Sequence, residues 1–174
     1  REEQYYQQIV GSLVPSYRFS SAWCFSKKDA IIDEYIVDYD EYAGLGSGSI
    51  GFLNGTCYAN TFNIRQYIAQ VYRGEMPLMA SRDFNIRDRI RYDFLMKLFG
   101  MKLATRAMRK KYNRRIYRYL WPDILAFVLA GGLRYEPPDF FLTPRGRYQW
   151  VLMMREFFIS VNNFRDFCRD QQTE

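Results

Sequence analysis

A chain of 174 residues that is 48% hydrophobic and 18% aromatic can bury a substantial core, which excludes a disordered protein and leaves room for one domain or two small ones. Its three cysteines, Cys24, Cys57 and Cys168, lie far apart in a sequence of net charge +6, which suits a reducing compartment and idle thiols better than a disulfide scaffold. Histidine is absent, and with it the commonest general base, the usual zinc ligand and every Ser-His-Asp or Cys-His arrangement.

Residues 2 to 13 are compatible with a helix that Pro15 ends. The chain opens on Arg1 rather than Met, in a charged, aromatic stretch that reads like the middle of a helix, so an excised fragment is expected. That stretch lacks the apolar centre of a signal peptide, and no run approaches the roughly 18 apolar residues of a spanning helix, so the expected location is the cytoplasm with no membrane partner. From Tyr17 to Phe25 aromatic and small residues alternate in the manner of a strand. Ala30 to Tyr42 is acidic and aromatic and reads as irregular. Asp33, Glu34, Asp38, Asp40 and Glu41 lack the spacing and central glycine of a calcium loop, so the segment is read as solvated.

Gly44, Gly46, Gly48 and Gly51 then form a loop in which backbone can approach a ligand closely. It is neither a Walker A loop nor a dinucleotide fingerprint, because no Gly-Lys-Ser/Thr is present and a hairpin follows, centred on Asn54-Gly55. From Asn63 the spacing of Ile64, Tyr67, Ile68 and Val71 marks an amphipathic helix ended by Gly74 and Pro77. Residues 1 to 80 hold 6 Lys and Arg against 9 Asp and Glu, and residues 81 to 174 hold 19 against 10. This shift predicts a domain boundary near Met79 to Phe84, giving domains 1–80 and 81–174.

The second half opens with Asn85 as N-cap of a helix whose apolar face is Ile86, Ile90, Phe94, Leu95 and Leu98, stopped by Gly100. A second helix begins near Thr105, and a third near Pro122 that runs to Gly131. Leu133 to Glu136 and Phe140 to Leu142 flank Pro137-Pro138-Asp139 as a two-stranded wing. Thr143-Pro144 starts a long last helix, whose positions Trp150, Met153, Met154, Phe157, Phe158, Val161, Phe164 and Phe167 predict a wide buried face. The fold class is therefore α+β, with a mainly helical second half in the order of a winged helix-turn-helix.

That order together with a basic second half invites a nucleic-acid reading. Against it, Trp121 to Ala130 in the recognition position carries no Arg, Lys, Asn or Gln to reach a base edge, and it reads as core. The basic run Arg106, Arg109, Lys110, Lys111, Arg114, Arg115 and Arg118 is either a solvated face or a surface that meets an acidic ligand or partner.

The run Tyr42-Ala43-Gly44-Leu45-Gly46-Ser47-Gly48-Ser49-Ile50, then a hairpin, Cys57-Tyr58-Ala59-Asn60 and a helix ending Arg73-Gly74, resembles the oxygen-independent coproporphyrinogen III oxidase family. Ser81-Arg82-Asp83 and Leu142-Thr143-Pro144-Arg145-Gly146 extend the resemblance into the second half. Ile32 to Tyr42 and Met153 to Asp166 are similar to the haem-utilisation branch, radical S-adenosylmethionine (SAM) methyltransferases that open the haem macrocycle without oxygen. The resemblance implies the end of a radical SAM barrel followed by a winged-helix-like domain that covers the substrate side.

It further implies, for the parent enzyme, SAM and a [4Fe-4S] cluster on a C-x-x-x-C-x-x-C loop that this chain lacks, so that the chain alone is inactive. The implied partners are a tetrapyrrole, haem or coproporphyrinogen, and the missing barrel in cis, with no nucleic acid. Gly46, Gly48 and Ser49 carry over as SAM contacts, although the family usually has Ala where Ser49 stands. Tyr42, Arg145 and Arg147 are candidates for the tetrapyrrole. The rival expectation is a haem- or nucleic-acid-binding module without catalysis.

Overall fold

A computed structural model describes residues 1–27 and 40–170. The expectation of an irregular, solvated acidic run therefore falls largely outside the described residues. The chain groups into two compact units that interleave along the sequence, Arg1–Asp38 with Ile90–Met154, and Tyr39–Arg89 with Arg155–Glu174.

The unit that holds the glycine loop is built on a three-stranded antiparallel sheet in the order β3-β4-β5. Strands β3 (Ile50–Leu53) and β4 (Thr56–Asn60) form the expected hairpin, with Leu53 opposite Thr56. The turn needs positive φ at both central residues, and Asn54 (φ 51) and Gly55 (φ 81) supply it. Helix α2 (Ile64–Tyr72) starts on Asn63, whose side chain accepts from the Gln66 amide at 3.1 Å. Strand β5 (Leu78–Asp83) pairs with β4, with a bulge between Ala59 and Asn60. The stretch read from sequence as a boundary thus carries a strand. It is a largely exposed edge strand, so no buried face imposes the apolar alternation that would reveal it.

Helix α3 (Ile86–Phe99) begins as expected, the Asn85 carboxamide accepting from the Asp88 amide at 3.0 Å. Its C-terminal part lies in the other unit, where Ile90, Phe94, Leu98 and Phe99 are buried. That unit begins with α1 (Glu2–Leu13) and the paired β1 (Arg18–Phe19) and β2 (Phe25–Ser26), which replace the single strand expected from Tyr17 to Phe25. After α3 come β6 (Lys102–Leu103), α4 (Thr105–Tyr112), α5 (Arg115–Leu129), β7 (Leu133–Glu136), β8 (Asp139–Leu142) and α6 (Pro144–Asp170). The second sheet has the order β6-β8-β7, so the expected two-stranded element gains a third, short strand. Its core is aromatic: Phe99 stacks on Trp150 at 4.4 Å between ring centroids, and Trp23 meets both rings edge-on. The Trp150 indole donates to the Leu95 carbonyl at 3.1 Å, so the largest buried side chain leaves no orphaned donor. The same unit buries Asp93, whose carboxylate accepts from the Tyr112 hydroxyl at 2.6 Å and pairs with Lys111 at 2.7 Å.

Three expectations about the later helices are corrected. Helix α5 starts at Arg115 and encloses Pro122 instead of starting there, because Ile116 and Leu120 ahead of the proline are its buried anchors. Downstream, the segment read as core is largely exposed, with Trp121 60% and Leu129 79% exposed. Apolar residues on every side of a helix imply burial only when a second element covers the second face, and none does so among the described residues. In α6 the buried face ends at Met154, and Phe157, Phe158, Ile159 and Phe167 beyond it are exposed.

Candidate functional site

The glycine loop is held from two directions. Tyr58 on β4 accepts from the Gly44 amide at 3.0 Å, and Tyr67 on α2 accepts from the Gly46 amide at 3.0 Å. The Gly48 amide donates to the Thr61 carbonyl at 2.9 Å, and the Ser47 hydroxyl donates to the same carbonyl at 2.8 Å. At the centre stands Asn60, 3% exposed, whose Nδ2 donates to the Gly44 and Gly46 carbonyls at 3.1 Å each and to Ser49 Oγ at 3.0 Å. Its Oδ1 is buried and has no hydrogen-bond partner. A buried acceptor left unpaired costs free energy of about 1–3 kcal/mol, which the three hydrogen bonds from Nδ2 offset.

The three carried-over loop residues take different positions in this cage. Gly46 has φ 101, and where its Cβ would stand there is open space. Gly48 has φ 73, and a Cβ there would lie 2.7 Å from the Phe62 ring, so its hydrogen faces the protein. The Ser49 hydroxyl donates to the Gly46 carbonyl at 2.7 Å and accepts from Asn60, so both its functions are spent inside the loop. Gly46 is therefore the position through which backbone can be approached from outside. Asn60 was not among the sequence candidates. Its signal was present, because Asn is disfavoured in strands and here ends an otherwise strand-like run.

Tyr42 is half-buried in the same unit and forms an isolated antiparallel bridge with Phe52, each amide donating to the other's carbonyl at 2.9 Å. Arg145 and Arg147 lie in the first turn of α6, in the other unit. Arg145 is exposed and forms no ion pair among the described residues. The Arg147 guanidinium rests over the Phe19 ring at 4.1 Å, and its Nε is buried without a partner. Burial pushes the Tyr6 hydroxyl above its usual pKa, and the charge of Arg147, with a hydrogen bond to it, acts in the opposite direction. Arg147 is thus largely committed to its own unit.

Burial also pushes the Cys57 thiol up, so at neutral pH it is protonated and a poor nucleophile. Cys24 and Cys57 are free thiols. Among the described residues no group of three His, Cys, Asp or Glu side chains is placed to hold a metal ion, and no helix is long and apolar enough to cross a membrane. The described residues therefore offer no ligand set for an iron-sulfur cluster.

No protein-family model matches the chain, and no curated protein matches it. Among solved structures, the chain is similar to coproporphyrinogen III oxidase from Escherichia coli, described as a radical SAM enzyme, with a TM-score of 0.63 and 16% identity over 83% of this chain. The chain spans 38% of the length of that structure. At this identity the likeness establishes a shared fold.

Proposed function

We propose that the chain is the C-terminal part of a radical SAM enzyme acting on a tetrapyrrole, of the coproporphyrinogen oxidase-like kind and within it the haem-utilisation branch. The observation that carries the reading is the likeness of fold over 83% of the chain to a radical SAM coproporphyrinogen oxidase. The loop and Leu142-to-Gly146 motifs suggest the same family. In this reading residues 1–80 close a radical SAM barrel and residues 81–174 form a winged-helix-like domain over the substrate side. The succession α3, β6, α4, α5, β7, β8, α6 and the sheet order β6-β8-β7 support the second part.

SAM and the [4Fe-4S] cluster would supply the radical chemistry from the remainder of the enzyme. This chain would contribute the backbone at Gly46, held open by Asn60, Tyr58 and Tyr67, with Gly48 and Ser49 shaping the loop. Arg145 is the better placed of the two arginines to meet a propionate, because Arg147 is engaged with Phe19 and Tyr6. Tyr42 would border the loop from the start of the sheet. The reading without nucleic acid loses its burial argument, because the helix in the recognition position is exposed and begins with Arg115 and Arg118; it is supported by the lack of base-reading side chains from Trp121 to Ala130.

The test is a titration of haem and SAM against this chain and against a longer chain that carries the upstream cysteine loop, reconstituted with iron and sulfide. The longer chain is expected to bind SAM and consume haem while this one does neither. Tight haem binding by this chain alone would make it a carrier or sensor and overturn the assignment.

A further inference from the structure

Helices α4 and α5 and the β7–β8 hairpin line an open cleft of about 720 Å³ within a single compact unit, a volume in the range of small-ligand sites. Its walls combine two kinds of group. Arg106 and Arg109, one helical turn apart on α4, present guanidinium groups on the same face. Tyr117, Tyr135 and Phe140 present aromatic rings.

The rings are available for stacking. Tyr117 is 50% exposed and Tyr135 57% exposed, and Tyr135 is braced against Phe140 at 4.8 Å between centroids. Arg109 lies 5.9 Å from the Tyr117 ring centroid, so charge and ring already form one surface.

The two carboxylates of the flanking hairpin are committed elsewhere: Asp139 pairs with Lys102 at 2.9 Å and accepts from the Thr105 amide at 2.9 Å, and Glu136 pairs with Arg134 at 3.1 Å. Neither Arg106 nor Arg109 has a carboxylate partner among the described residues. Two unpaired arginines beside exposed aromatic faces need an anion for the planar guanidinium fork and a flat ring for the aromatic wall.

We propose that this cleft is a binding site for a small aromatic acid, its ring lying on Tyr117 and Tyr135 and its carboxylate or phosphate held by Arg106 and Arg109. The inference does not depend on the function proposed above, because no SAM, cluster or tetrapyrrole enters it.

The experiment is calorimetric titration of the full chain with 2-naphthoate and with 1-naphthyl phosphate, mapped by backbone amide NMR. Saturable binding of one molecule is expected, with shifts gathered at Thr105 to Arg109 and Tyr135 to Phe140. Tighter binding of the phosphate would identify phosphorylated aromatics as the class, and tighter binding of naphthoate would identify carboxylates. Arg109→Ala and Tyr117→Ala should each weaken binding roughly tenfold, with Arg109→Lys in between because it keeps the charge and loses the fork. Both residues are exposed, and circular dichroism checks that the variants fold. Lys110→Ala removes the same charge from the same helix outside the cleft and should leave affinity unchanged. Equal weakening by Lys110→Ala would show attraction to net charge alone and overturn the site. Undiminished binding of the neutral 2-naphthamide would show a merely apolar patch, and tighter, salt-dependent binding of single-stranded oligothymidylate would show a nucleic-acid surface. Either result overturns the proposal, as does the absence of binding.

Discussion

Asn60 organises the glycine loop by donating to three acceptors from one buried carboxamide. Asn60→Ala is expected to destabilise its unit by about 1–3 kcal/mol, less than three hydrogen bonds would suggest, because the substitution also removes the orphaned Oδ1. Denaturant titration of the two proteins measures the difference. The two loop glycines should separate in the same assay. Gly46→Ala meets only the strain of positive φ, about 1–2 kcal/mol, while Gly48→Ala meets that strain and the Phe62 ring together and should cost more. An equal cost at both positions would mean that the Phe62 ring moves aside freely.

At the scale of elements, the start of α6 shows why a short motif is demanding. The Thr143 hydroxyl accepts from the Gly146 amide at 2.9 Å as N-cap, and a Cβ on Gly146 would collide with the Gly132 carbonyl. Helix α6 therefore enters against the backbone that follows α5, and only glycine allows that approach. Gly146→Ala should cost about 1–3 kcal/mol by overpacking, and Thr143→Val about 1 kcal/mol by loss of the cap, each read from thermal unfolding. The junction of β8 with α4 adds a pH dependence. A hydrogen bond from Lys102, helped by the Thr105 amide, holds the Asp139 carboxyl below its ordinary value. A carboxyl whose pKa is lower folded than unfolded contributes stability that is present above the unfolded value, about 3.9, and lost as pH falls through the folded one. Asp139→Asn should therefore flatten the acid limb of the stability curve, and an unchanged limb would place the acid sensitivity elsewhere.

For the molecule as a whole, the unusual feature is apolar surface without a cover. Ile64, Ile68, Val71 and Tyr72 line one face of α2, and Tyr72 is 88% exposed. Trp121, Leu125, Val128 and Leu129 on α5 and Phe157, Phe158 and Phe167 on α6 are likewise exposed. Contiguous patches of this kind mark interaction surfaces or aggregation liabilities. The isolated chain is expected to self-associate and to enhance the fluorescence of the neutral dye Nile red. The double substitution Ile68→Glu and Tyr72→Glu should reduce both effects in sedimentation and dye assays without lowering the unfolding temperature. A monomeric, dye-silent parent chain would contradict the reading.

Local signals in the sequence were sufficient for much of the fold. Pro15, Asn54-Gly55, Asn63, Gly74, Asn85 and Thr143-Pro144 act through φ restriction, caps and turn geometry within a few residues, and each marks the start, stop or turn it was expected to mark. The glycine loop was legible as a place of close backbone approach for the same reason. What only the tertiary structure decided is which apolar and polar side chains are covered. Strand β5 exists through its pairing with β4, Asn60 matters because three distant acceptors converge on it, and α5 exposes a face that its composition would bury. Caps and turns depend on neighbours in the chain, whereas burial depends on what stands opposite in space, and sequence periodicity shows that a face is apolar without showing what covers it.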